Sequence, residues 1–148
     1  MKPVHYKRAR FSTYLPTDRL YTPSHFWLLQ RADGEWQVGF TKLATRMLGE
    51  VVECQFEANP NDEVAVGDVI GSLEAFKAMT DLYCVAEGLF LEKNAEIDHD
   101  PSVVSSFPYD QGWLYAVQGT PDEGCVDVHG YVELLNETID RMQEQEQK

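Results

Sequence analysis

Lys77 is the residue around which reactive chemistry is most easily arranged in this sequence. It stands between two β-rich segments, Val69-Ile70-Gly71-Ser72-Leu73-Glu74-Ala75-Phe76 and Met79-Thr80-Asp81-Leu82-Tyr83. A lysine between two such segments sits at the tip of a hairpin, exposed and oriented by the flanking strands. A primary amine held that way can accept a covalent group by amide linkage, which removes its charge and lengthens an already flexible stem. Most lysines at turns are solvated charges, so the spacing alone does not establish a modification.

The other reactive side chains form weaker patterns. Cys54, Cys84 and Cys125 are odd in number and lack C-x-x-C spacing. That argues against a disulfide framework and a zinc site, and for reduced structural thiols. Cys84, close in sequence to Lys77, is the one candidate redox thiol. His5, His25, His99 and His129 show no metal-ligand spacing. His25, beside Phe26 and Trp27, reads as a hydrogen-bonded structural residue. Asp98-His99-Asp100 reads as a polar loop before Pro101. No serine–histidine or cysteine–histidine nucleophile can be assembled, so the expectation is a protein that other enzymes act upon.

Composition narrows the partners. The chain has 148 residues, enough for one core, and 43% of them are hydrophobic. Twelve basic residues face 25 acidic ones, giving a formal net charge of −13. Nucleic acid is disfavoured, because phosphate binding needs clustered Lys and Arg. A strongly acidic surface can steer fast, weak encounters with basic partner surfaces. No apolar run is long enough to cross a bilayer, and the first residues lack the apolar core of a secretory signal. The expectations are therefore no membrane, a cytoplasmic location and, for a mobile carrier, a monomer.

The positioning elements follow from period and turn residues. Residues 1–24, punctuated by Pro3, Pro16 and Pro23, read as an irregular N-terminal extension. Residues 25–40 read as a strand pair turning at Ala32-Asp33-Gly34. Thr41 is placed as the cap of a short helix over residues 42–48, ended by Gly49. Short strands are expected at residues 51–56, 63–66, 69–76, 79–85 and 89–92, with turns between, as in a small β-sandwich or barrel. Gly49-Glu50-Val51-Val52-Glu53 and Gly88-Leu89-Phe90-Leu91-Glu92 form a faint repeat on either side of Lys77. Val128, Tyr131, Val132, Leu135, Ile139 and Met142 recur at helical spacing, so an amphipathic helix is expected over residues 127–141. Residues 25–142 are taken as one domain, and residues 143–148 as a frayed polar tail.

Several blocks in order resemble the glycine-cleavage H proteins. Glu74-Ala75-Phe76-Lys77-Ala78-Met79-Thr80-Asp81-Leu82-Tyr83 resembles that family's E-x-V-K-A-x-x-D-L-Y motif. Tyr21-Thr22-Pro23-Ser24-His25-Phe26-Trp27 resembles Y-T-x-x-H-E-W. Val38-Gly39-Phe40-Thr41, Leu48-Gly49-Glu50-Val51-Val52 and Pro108-Tyr109-Asp110-Gln111-Gly112-Trp113-Leu114 resemble three further blocks. The resemblance implies a mainly β, lipoyl/biotinyl-type hammerhead with extra N-terminal strands, a short helix and a C-terminal helix. It implies lipoic acid joined covalently to Lys77, with Glu74, Ala78, Asp81, Phe26 and His25 around the arm. Biotinyl domains carry M-K-M, whereas this chain has Phe76-Lys77-Ala78, which favours lipoyl. A lipoate ligase or lipoyl transferase is implied as the attaching partner.

The departures bear on cargo. The H-E-W glutamate, which in the family helps hold a cationic methylamine, is replaced by Phe26, while Asp81 is kept. Losing a carboxylate removes a charge-assisted hydrogen bond of about 1.5–3 kcal/mol. Cys84-Val85-Ala86-Glu87-Gly88 stands where the family has S-P-V-S-G. This pattern resembles the lipoate-binding proteins of heterodisulfide-reductase-like sulfur oxidation, and on that ground a sulfur cargo and a heterodisulfide-reductase-like complex are expected. The alternative is the aminomethyl carrier that serves the glycine-cleavage enzymes. A reading of another class is an unmodified hammerhead used as an interaction module.

Overall fold

The computed structural model describes residues 2–146. In chain order the elements are β1 (Val4–Arg8), β2 (Phe11–Leu15), β3 (Leu20–Tyr21), β4 (Phe26–Ala32), β5 (Glu35–Phe40), α1 (Lys42–Leu48), β6 (Val51–Phe56), β7 (Glu63–Val64), β8 (Val69–Ala75) and β9 (Met79–Tyr83). They continue with β10 (Ala86–Lys93), α2 (Glu96–His99), α3 (Val103–Ser106), β11 (Tyr115–Pro121) and α4 (Val128–Glu146). A six-stranded sheet runs β3-β4-β5-β11-β10-β7, and a three-stranded sheet runs β6-β8-β9. Between them lies one hydrophobic core, built around Leu28, Leu73, Leu82, Phe90, Val104 and Leu114. The mainly β architecture with a C-terminal helix agrees with the expectation.

The expected hairpin at residues 25–40 forms with Phe26 opposite Phe40 and Leu28 opposite Val38. Trp27 lies across from Gly39 in the same ladder. Its indole occupies the space a side chain at Gly39 would need, since an added Cβ would come within 2.4 Å of the ring. The indole N–H donates to the Pro108 carbonyl at 2.8 Å, and the Arg19 guanidinium lies 4.7 Å from the ring centre. Three sequence blocks that are far apart in the chain thus meet on one buried side chain.

The irregular reading of residues 1–24 is corrected. Residues 4–15 form an antiparallel hairpin, β1–β2, with Val4 paired to Leu15 and Arg8 to Phe11. Phe11, Thr13 and Leu15 point inward while Ser12 and Tyr14 face out. That alternation is a strand signal, and the proline spacing obscured it. Tyr6, Phe11 and Leu15 pack with Trp27, Leu43 and the buried face of α4 in a second core cluster.

The helical period in the C-terminal segment is realised, with Val128, Tyr131, Leu135 and Ile139 buried on one face. Burial of each such large side chain contributes about 1.5–3 kcal/mol. The helix also runs further than expected. Residues 143–146 are helical rather than frayed, while residues 147–148 lie outside the described part. The contacts of α4 with the N-terminal hairpin lie just before these added, exposed residues. Tyr6 donates to Asn136 Oδ1 at 2.8 Å, and Arg8 grips both Asp140 oxygens at 2.8 and 2.9 Å. Two short helices, α2 and α3, and strand β11 were not anticipated in the segment between β10 and α4.

Tyr131 joins α4 to the sheet. Its ring stacks on Tyr21 with centroids 4.6 Å apart. Its hydroxyl lies 2.9 Å from His25 Nδ1 and 2.7 Å from Thr41 Oγ1. Thr41 therefore serves Tyr131 and not its own helix, which shows no side-chain cap bond. Burial holds the His25 imidazole below its ordinary pKa. A histidine whose folded pKa is depressed binds protons more readily in the unfolded chain, so its contribution to stability is present above about pH 6.5 and declines as the pH falls from there toward the folded value. Thermal unfolding between pH 7.5 and 5 is expected to show this loss. It should be smaller in His25→Asn, where the replacement tolerates the positive φ of 70° at this position. Tyr131→Phe, which strips the hydroxyl from two buried partners, is expected to lower stability by about 1–3 kcal/mol.

Candidate functional site

Lys77 occupies the two-residue tip of the β8–β9 hairpin. Glu74 pairs with Met79, and the Ala75 N–H donates to the Ala78 carbonyl at 2.9 Å, leaving Phe76 and Lys77 as the loop. Two-residue hairpin loops usually take positive φ to match strand twist, yet neither Phe76 nor Lys77 does. Their amides are held from outside. The Phe76 N–H donates to Glu50 O at 3.0 Å, and the Lys77 N–H donates to Leu48 O at 2.9 Å. The Lys77 ammonium donates to Arg46 O at 3.1 Å. The last carbonyls of a helix lack intrahelical partners and carry partial negative charge. The end of α1 therefore receives both the backbone and the amine of Lys77.

Gly49 makes this approach possible. Its φ of 78° and ψ of −171° lie in a region that only glycine occupies readily. A Cβ there would come within 3.1 Å of Lys77 Cγ and 3.4 Å of both Lys77 N and Phe76 Cβ. The residue read from sequence as a helix stop is thus also the seat of the lysine turn.

The remaining residues singled out from sequence are divided between two places. Glu74 and Asp81 face outward from the three-stranded sheet with Glu53 and Met79, lining a shallow depression of about 330 Å³. Among the described residues no ion pair joins either carboxylate to Lys77. Ala78 closes the hairpin through its carbonyl. His25 and Phe26 make no hydrogen bond or ring contact with Lys77 among the described residues. Phe26 is buried and stacked on Phe40 with centroids 5.0 Å apart, and His25 is bound to Tyr131. β4 turns the Phe26 side chain inward, where it packs in the main cluster that also holds Ala44, Val51 and Ala75.

Cys84 is also removed from the surface. Its thiol is buried, donates to Ala86 O at 3.0 Å, and is pushed up in pKa mainly by burial. Burial likewise raises Cys54 to about 12 and Cys125 to about 11. A thiol held protonated is a poor nucleophile. No group of three or more His, Cys, Asp or Glu side chains suited to a metal occurs among the described residues.

Sequence reasoning missed the open groove on the other side of Lys77. It has a volume of about 710 Å³ and runs between the β1–β2 turn, α1 and the end of α4, with Lys77 in its wall. Its lining is mixed: Met47 and Met142 are apolar, with Leu43 and Ile139 buried beneath, and Arg10 and Arg46 add positive charge. Spacing of Ile139, Met142, Gln143 and Glu146 on one helical face was the available signal.

Around the lysine itself, exposure is unusual for apolar side chains. Phe76 is 74% exposed and Met79 79%. Flanking an accessible amine, they offer an apolar grip to whatever protein acts there. Gly49→Ala is expected to lower stability by about 1–3 kcal/mol through backbone strain, measurable by chemical denaturation. Amide hydrogen exchange at Phe76 and Lys77 should rise in the same variant, because their acceptors move.

Comparison with known proteins bears directly on this arrangement. The family model for the glycine cleavage H-protein matches residues 19–139. The chain is 35% identical over 129 residues to the glycine cleavage system H protein of Mycolicibacterium smegmatis, covering 83% of this chain and 98% of that one. It is 32% identical over 126 residues to the H protein of Alteromonas mediterranea, with 83% and 97% covered. The crystal structure of a glycine cleavage system H protein from Mycobacterium marinum superposes with a TM-score of 0.74 at 32% identity, covering 82% of this chain and 99% of that chain. A lysine on a braced two-residue hairpin tip, within this fold and these sequence blocks, places the chain in the glycine cleavage H-protein family.

Proposed function

We propose that this protein is a lipoyl-lysine carrier with its arm on Lys77, shuttling an aminomethyl cargo between the enzymes of the glycine cleavage system. The observation that carries the reading is the exposed Lys77 amine on a tip fixed by Leu48 O, Glu50 O and Arg46 O. The residues present suit the group. The amine is accessible to an attaching lipoate ligase or lipoyl transferase, and an open groove of mixed lining adjoins it. When attached, lipoate supplies a reversible dithiol at the end of a long flexible arm.

The chain's own residues position and present that arm. The α1–β6 connection fixes where it starts, so its tip sweeps a limited volume and effective concentration at a docked partner stays high. Acylation of Lys77 removes the charge but leaves one N–H that can still donate to Arg46 O. Glu53, Glu74 and Asp81 on the neighbouring face, within a net charge of −13, favour rapid encounter with basic partner surfaces. No side-chain set capable of catalysis adjoins the lysine among the described residues, and chemistry on the arm is assigned to partner enzymes.

A sulfur cargo is the second reading, and one observation favours it. Phe26 brings no carboxylate where the family's glutamate stands, and its ring is buried. The relatives are named as glycine cleavage H proteins, which supports the aminomethyl cargo over the sulfur one.

Reconstitution tests the proposal. The lipoylated protein mixed with glycine decarboxylase is expected to support glycine-dependent exchange of labelled bicarbonate, and Lys77→Arg to abolish it while keeping the fold. Exchange at the level of the K77R variant, with the arm intact, would turn the assignment toward sulfur transfer. Phe26→Glu is expected to destabilise the protein by several kcal/mol, since it buries an unpaired charge in the core; urea unfolding measures this.

A further inference from the structure

One peptide unit beneath the lysine turn is held at both ends. The Glu50–Val51 peptide is planar and trans, so its carbonyl and its N–H point in opposite directions. Its carbonyl accepts from the Phe76 N–H at 3.0 Å, on the side of the turn. Its N–H donates at 3.1 Å to Ser105 Oγ, which arrives from α3 on the other side. The Ser105 hydroxyl in turn donates to Gly49 O at 3.4 Å. A single chain of hydrogen bonds thus runs from Gly49 O through Ser105 and the Glu50–Val51 peptide to the tip that carries Lys77. Members of such a chain polarise one another, so each bond strengthens the next.

The packing of α3 aims Ser105 at this peptide. Val103 and Val104 are buried, and the Gly112 N–H donates to Phe107 O at 2.8 Å. A Cβ at Gly112 would collide with the Val103 carbonyl. Glycine there lets the segment before β11 close on the helix and hold the hydroxyl against residues 49–51.

We propose that Ser105 is a positioning residue for Lys77: through the Glu50–Val51 peptide it fixes the hairpin tip in the geometry from which the amine is acylated. The inference rests on Lys77 being the attachment site. In that step the neutral amine attacks the carbonyl carbon of an activated acyl donor held by the ligase. The C–N bond forms, the bond to the leaving group breaks with its electron pair, and the protons shed by the amine pass to solvent. Ser105 is bonded to backbone groups of residues 49 and 51 and not to the amine, which donates to Arg46 O. Its effect is to narrow the directions from which the amine can approach the donor.

The test compares wild type, Ser105→Ala and Ser105→Thr as full-length, unmodified protein. In Ser105→Ala, amide hydrogen exchange at Phe76 should be about fivefold faster, the order expected from losing one hydrogen bond. Exchange at Val117, in the central strand β11, should stay at the wild-type rate, which separates a loosened tip from a loosened fold. Lipoylation by a lipoate ligase is then followed by intact mass over time. In Ser105→Ala its kcat should fall about fivefold with KM unchanged, because β8 and β9 keep their register and their exposed side chains. Ser105→Thr, which keeps the hydroxyl, should restore both Phe76 exchange and kcat. Wild-type exchange at Phe76 in Ser105→Ala, a wild-type kcat, or an equal loss in Ser105→Thr would overturn the inference while leaving Lys77 as the attachment site. Failure of the wild type to gain a lipoyl mass would overturn the attachment reading, and the positioning role with it.

Discussion

The amides of Phe76 and Lys77 find their acceptors outside their own hairpin, on the carbonyls of Glu50 and Leu48. Between those two carbonyls stands Gly49, in a conformation and at a distance that a side chain would prevent. This backbone clasp joins the end of α1, the start of β6 and the lysine turn into one unit. A two-residue loop without positive φ is otherwise poorly matched to strand twist. Held by the clasp, it presents Lys77 at a fixed point, with the exposed side chain reaching Arg46 O.

The rest of the fold keeps the clasp in place. Helix α1 reaches the hairpin because β5 ends at Phe40 and Thr41 is anchored to Tyr131. Tyr131 is anchored in turn by Tyr21 and His25. Through that one tyrosine, α4 fixes both the start of α1 and the turn before β4. The N-terminal hairpin then packs on α4 and α1 together. The result separates two surfaces around Lys77, an acidic face on the three-stranded sheet and a groove bearing Arg10 and Arg46 on the helical side.

Much of this was legible in the sequence for identifiable reasons. The hairpin around Lys77 could be read because alternation in residues 69–75 and 79–83 is clean and the loop is short. Helix α4 could be read because its apolar period is sustained over several turns. The N-terminal strands were obscured because Pro3 and Pro16 bracket them and read as breaks, although Tyr6, Phe11, Thr13 and Leu15 alternate inward. The end of α4 was misjudged because Gln143 to Glu146 is polar; its helicity is supported by continuity with packed turns, not by its own burial. Gly49 was recognised as a helix stop, but its second role depends on the approach of Phe76 and Lys77, 27 and 28 positions later, which no local pattern reveals. The stacking of Phe26 on Phe40 depends on the β4–β5 register, which its motif alone does not reveal.

The central claim is that Lys77 is covalently lipoylated in the cell. The most direct test is the intact mass of the protein purified from its native host, followed by peptide fragmentation. A lipoyl increment mapped to Lys77 is the predicted result. An unmodified Lys77 in actively metabolising cells would contradict the account and leave the braced tip as part of an interaction module.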